Sequence, residues 1–131
     1  MFTALQPPGW PRPKGYANGV TARGRMVFVA GMIGWDESEK FPAADLAGQA
    51  RQALANVRAV LAEAGARPEH IVRMTWYVTD RAEYLREARA IGAAYRELIG
   101  SFTVAMTAVE VKALMEAQAK VEIGVTAVVP D

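Results

Sequence analysis

Apolar residues fill positions 26–33 on both parities, with Met26, Phe28, Ala30 and Met32 on one side and Val27, Val29, Gly31 and Ile33 on the other, so the pattern predicts a strand buried on both faces. From Leu46 the spacing changes to three and four. Leu46, Ala50, Leu54, Val57, Leu61 and Ala64 form the packing stripe of a helix capped at or near Asp45 and stopped by Gly65, while Gln49, Gln52, Asn56, Arg58 and Glu63 fall off the stripe on a wet or lightly covered face. Residues 71–78 return to strand formers, largely apolar on both faces. Thr79 or Asp80 then caps a second helix over residues 81–99, striped by Tyr84 or Leu85, Ala88, Ile91, Tyr95 and Leu98 and ended by Gly100. The last third of the chain, from Phe102 to Pro130, reads as a terminal pair of strands, 107–112 and 120–129, around a turn. In the second of these, Val121, Ile123, Val125, Ala127 and Val129 share one face, and Glu122, Gly124, Thr126 and Val128 share the other. Ahead of all this, residues 7–14 hold four of the seven prolines and predict an extended lead-in. A short strand over residues 15–20 and a turn at Arg23-Gly24 follow, with Asn18-Gly19 a bend or bulge rather than a hairpin tip.

These elements predict one α+β domain over residues 1–131, a mixed sheet of five to six strands with two helices on one face. Two helices cover only one side of a sheet. The other side, carrying Met26, Phe28, Ala30 and Met32, is too apolar for water and predicts packing against further copies of the chain.

Composition narrows the chemistry. At 131 residues the chain supports a single core. A net charge of +1, from 15 basic and 14 acidic residues that are scattered, disfavours nucleic acid as a partner. Without cysteine there is no disulfide framework, thiol nucleophile or thiolate zinc site, and one histidine, His70, makes no cluster, so neither metal nor cofactor is expected. No apolar run approaches a membrane span and residues 1–10 do not read as a leader, which predicts a cytoplasmic protein without a membrane partner. Glu122 is the candidate catalytic residue: a carboxylate fixed on a strand among small and apolar groups. If its face is covered it sits in low dielectric, the setting a general base or water-orienting group needs; the plain alternative is a solvated strand charge.

The segments 15–20 (Gly-Tyr-Ala-Asn-Gly-Val), 27–33 (Val-Phe-Val-Ala-Gly-Met-Ile), 49–65 with Asn56 inside it, 78–80 (Val-Thr-Asp), 107–111 (Thr-Ala-Val-Glu-Val) and 121–123 (Val-Glu-Ile) together make the chain resemble the RidA family, also called YjgF, over essentially its whole length. The resemblance implies a chorismate-mutase-like fold, a homotrimer and a small-molecule cleft at each subunit interface, where family deaminases hydrolyse enamine or imine intermediates released by pyridoxal-phosphate enzymes. It also implies site positions. Glu122 stands where the family has its water-orienting carboxylate, and Tyr16 where a tyrosine enters from the neighbouring subunit. Ala30 stands for the usual serine, Met32 for a glutamine, Gly92 for an asparagine, and Met106 for the arginine that forks onto the substrate carboxylate. A thioether has neither charge nor donor, so the base is kept and the clamp is lost, and the family substrate 2-iminopropionate is expected to be a poor one.

Each residue also has a plainer role. Met106, Met32 and Ala30 together make either a more apolar pocket around Glu122 or core filler; Tyr16 is either a donor to ligand or a buried aromatic. His70 reads as an exposed loop residue, Trp35 as either the mouth of a cleft or an ordinary half-buried tryptophan, and Glu110 as either a second carboxylate near Glu122 or, in its plainer role, a partner of Lys112 or Lys120. The function expected is hydrolysis or deamination of a small imine, enamine or related C–N compound by Glu122 and water. A trimeric binding protein without turnover is the alternative, and a structural or chaperone-like trimer the third reading.

Overall fold

The computed structural model describes residues 2–101 and 104–131, so Phe102 lies outside the described residues. Strands β1 (Thr3–Leu5) and β2 (Gly19–Thr21) pair antiparallel in a small sheet of their own. The main sheet holds β3 (Arg25–Ile33), β4 (Ile71–Val78), β5 (Ala105–Glu110) and β6 (Val121–Val129) in the order β3-β6-β4-β5, with β4 and β5 parallel and the other pairs antiparallel. The mixed α+β architecture matches the expectation, but the last two strands are not neighbours, because β4 lies between them. β6 takes a central place, where its face of Val121, Ile123, Val125 and Ala127 is fully covered. β5 begins two residues earlier than expected and forms the edge.

Helix α1 (Leu46–Glu63) is capped by Asp45, whose carboxylate accepts from Gly48 N–H at 3.3 Å. Its buried stripe includes Ala53 and Gln49 beside the expected leucines. Gln49, placed on the wet face by spacing alone, is buried because its amide satisfies a loop: Nε2 donates to the carbonyls of Ala43 and Gln118 at 3.3 and 3.0 Å, and Oε1 accepts from Lys120 N–H at 2.8 Å. Gly65, at φ 69°, ends the helix in the left-handed region.

The second helix is two: α2 (Arg81–Arg86) and α3 (Ala88–Leu98), separated at Glu87 with φ −98° and ψ 12°. Glu87 instead turns its carboxylate to the N–H of Ala47 at 2.8 Å, serving the unsatisfied first turn of α1. Tyr84 packs on the core, whereas Leu85 is exposed. The helices lie on one face, over a core built from Leu46, Leu54, Leu61, Ile71, Met74, Trp76, Val121 and Ile123.

The opposite face is bare in the single chain. Across it run Phe28, Thr126, Arg73 and Ala105 in one row and Glu122, Tyr77 and Val109 in another. Phe28 is 71% and Met26 56% exposed, an apolar display that single chains rarely leave in water. A bulge in β3 interrupts the simple alternation: Val29 lies opposite Val125 but Met32 opposite Ile123. Met32 therefore leaves the row of Met26 and Phe28 and packs against the helix-side core. No helix among the described residues is long and apolar enough to cross a membrane.

Candidate functional site

Glu122 projects from the bare face of the sheet between Ile33 on β3 and Tyr77 on β4. It is half-buried, and its carboxylate lies across the backbone of Gly31. A Cβ built on Gly31 would stand 2.7 Å from Glu122 Cδ and 2.8 Å from Cγ, and would collide with Oε2, so only glycine leaves the carboxylate this position. The bulge at Ala30-Gly31 supplies that approach, and Asn56 fixes the end of the strand by donating to the carbonyls of Ile33 and Trp35 at 3.0 and 2.8 Å. Around Glu122 is a depression of about 340 Å³ lined by Gly31, Met32, Ile33, Trp35, Met115 and Glu116. Trp35 thus stands at the mouth of a concavity, packed 6.0 Å from Phe41.

The second carboxylate in this depression is Glu116, not Glu110. Glu110 accepts from the N–H of Arg81 at 2.7 Å, and Lys120, its expected partner, pairs with the buried Glu83 at 3.0 Å. Glu83 also accepts from Leu46 N–H at 3.4 Å, so the residue that leads into β6, the start of α1 and α2 meet at one carboxylate. His70 is half-buried rather than exposed; its Nδ1 accepts from Arg67 N–H at 3.0 Å in a short 3-10 turn over Pro68–His70. Among the described residues no group of three His, Asp or Glu could hold a metal ion.

Tyr16, Gly92 and Met106 come together elsewhere, in a cavity of about 460 Å³ between α3 and the edge of the sheet. Met106 pairs with Met74, on the face covered by helices, whereas Glu122 pairs with Tyr77 on the bare face. Within one chain Met106 and Glu122 are therefore on opposite sides of the sheet, so Met106, Met32 and Ala30 do not all meet at Glu122 in the single chain. Of that trio only Met32 lines the depression at Glu122, while Ala30 is exposed at the bulge. Tyr16 is brought to the cavity by its neighbour: Ala17 donates to the carbonyl of Val104 at 2.8 Å and bridges to Ala105.

Aromatic residues form much of the cavity wall. Trp76 and Tyr84 meet edge to face with centroids 6.2 Å apart. Burial pushes the Tyr95 hydroxyl up to about 12 and raises that of Tyr84 as well, so both remain protonated donors at neutral pH. The Nε1 of Trp76 and the hydroxyl of Tyr95 are buried without a hydrogen-bond partner among the described residues. Spacing places Tyr84 and Tyr95 on a helix stripe and Trp76 in a strand, and an aromatic in such a position gives no sign in sequence that it also walls a cavity. Arg96 lines the same cavity.

The family profile described as endoribonuclease L-PSP matches residues 11–129. A 2-iminobutanoate/2-iminopropanoate deaminase of Salmonella typhimurium is 34% identical over 113 residues, 86% of either chain. A RutC family protein of Pyrococcus abyssi is 31% identical over 105 residues, 79% of this chain and 80% of its own. Among solved structures, a Rid-family protein of unknown function from Yersinia pestis superposes with a TM-score of 0.86 at 28% identity, covering 98% of both chains.

Proposed function

The chain belongs to the RidA/YjgF family, and we propose that it hydrolyses a small imine, enamine or related C–N compound, with Glu122 orienting or activating water. The observation that carries this reading is the seat of Glu122. Its carboxylate is held over Gly31, which leaves no room for any other residue there, at the edge of a concavity on an apolar sheet face. The named activity of the Salmonella relative supports the reaction class.

The same reading makes the protein a homotrimer. The bare face with Phe28 and Met26 is the surface that copies would cover, and Glu122 stands on that face. Because Tyr16, Gly92 and Met106 share one cavity, a Tyr16 that reaches Glu122 from a neighbouring subunit brings the whole cavity with it. The working site then combines Glu122 and Gly31 of one subunit with the aromatic cavity of the next. Water added to the imine carbon yields a carbinolamine as Glu122 takes the proton of the attacking water and passes it to the nitrogen; transfer of the hydroxyl proton to that nitrogen then releases ammonia and leaves the carbonyl product. Replacing Glu122 with glutamine keeps the shape and removes the basicity, so ammonia release from imines generated in the assay should fall to background while the assembly stays intact. Turnover at the wild-type rate in that variant would refute the mechanism. Ligand binding without turnover in the wild type would establish the non-catalytic binding protein, which the apolar residues at positions 30, 92 and 106 favour.

A further inference from the structure

Met106 gives the cavity no cation on β5 for a carboxylate-bearing ligand. A different cation is already there. Arg96, one turn beyond Gly92 on α3, lines the same cavity as Met106 and Tyr16. Its Nη1 lies 3.3 Å from where a Cβ of residue 92 would stand, so the guanidinium folds back over Gly92 and any larger residue there would crowd it. Among the described residues Arg96 makes no ion pair, and the adjacent carboxylate, Glu97, is taken by Arg51 at 2.8 and 2.9 Å. A cation in the last turn of a helix is favourable in itself. That accounts for an arginine at this level of α3, but not for its lying over a glycine into an aromatic cavity.

We propose that Arg96 is the carboxylate-binding residue of this cavity, and that its ligand is a small 2-oxo or 2-imino acid with an aromatic or branched apolar side chain. The size and lining of the cavity fix the second part. About 460 Å³ walled by Tyr84, Ile91, Tyr95 and Met106 is a site for a side chain larger than a methyl group, and a three-carbon acid would leave that wall uncovered. Met106 then supplies apolar contact to the ligand's side chain, and Gly92 supplies the space through which the guanidinium reaches the ligand.

The inference deepens the hydrolase reading, and a binding measurement separates the two. Calorimetry with 4-methyl-2-oxopentanoate and with its uncharged primary amide reads the carboxylate contribution without any turnover. The wild type should prefer the acid. Arg96→Ala should weaken the acid roughly 10- to 100-fold, the range for a lost charge-assisted pair, and leave the amide unchanged. Arg96→Lys should retain part of the preference, and Met106→Arg added to Arg96→Ala should restore it from the other wall. Equal binding of the acid by wild type and Arg96→Ala, or of acid and amide by the wild type, would overturn the assignment, as would a wild type that binds neither. Loss of acid binding in Arg96→Ala together with no imine hydrolysis by the wild type would keep this inference and remove the hydrolase reading. Glu122-dependent hydrolysis with acid binding indifferent to Arg96 would do the reverse.

Discussion

Replacing Glu83 with glutamine removes charge from the point that ties α1 and α2 to Lys120, the residue before the strand that carries Glu122. Glu83 is 8% exposed as a residue, and its carboxylate receives Lys120 Nζ at 3.0 and 3.3 Å and Leu46 N–H at 3.4 Å. Glutamine offers one acceptor oxygen and turns an NH₂ toward an ammonium. Breaking a fully buried ion pair from one side costs about 3–5 kcal/mol, and an exposed pair about 0–1 kcal/mol. Lys120 is 37% and Glu83 11% exposed in its side chain, which sets the expected loss between these, about 1–3 kcal/mol. That is a sizeable part of a total of about 5–15 kcal/mol and is measurable as a shifted midpoint in urea at unchanged slope. The pH dependence gives a second readout. Burial alone would raise the pKa of Glu83, but the hydrogen bond and charge of Lys120, helped by Leu46 N–H, outweigh it and hold the folded value below the ordinary 4.5. The unfolded chain therefore binds the extra proton first. The stabilisation is complete above about 4.5 and is lost as pH falls through the lower, folded value. Glu83→Gln should remove that part of the acid sensitivity. A variant within about 0.5 kcal/mol of wild type at neutral pH, a change no larger than that of an ordinary surface substitution, and equally sensitive to acid, would refute the reasoning.

Phe28→Asp should convert the sedimenting species from trimer to monomer or unfold it, because a charge buried unpaired at an interface costs several kcal/mol; a wild type that sediments as a stable monomer at micromolar concentration would sink the assembly. Gly31→Ala should push the Glu122 carboxylate from its seat and lower kcat roughly 10- to 100-fold with little change in thermal midpoint, and unchanged kcat would show that the seat is irrelevant.

Much of this fold is legible in sequence because its signals are local. The strand over residues 26–33, the α1 stripe and the alternation of β6 each follow from periodicity within one element, and Gly65 marks the helix end that it observes. What escapes is decided by distant partners. Parity counting assigns Met32 to the face of Phe28, and the one-residue bulge beside Gly31 reverses that assignment. The break at Glu87 arises from an N–H forty residues earlier in the chain, on Ala47, and a continuous stripe gives no warning of it. Gln49 is polar and off the stripe, yet buried, because three groups of neighbouring loops need its amide. Glu122 and Tyr16 are both recognisable as candidates from residue type and motif, but that Glu122 and Met106 lie on opposite sides of the sheet depends on β4 standing between their strands.

The central claim, a working site shared between Glu122 of one subunit and the aromatic cavity of its neighbour, is tested most directly by mixing two inactive variants. Glu122→Gln removes the base; Gly92→Trp fills the cavity from α3. Each alone should be inactive on an imine with an apolar side chain. After the two are unfolded together in equal amounts and refolded, random assembly places an intact Glu122 beside an intact cavity at about one interface in four, so about a quarter of wild-type activity should return, provided that copies pack by burying their apolar faces as closed symmetric assemblies do. No recovery from correctly assembled mixed trimers would contradict the shared site and place the chemistry within a single chain.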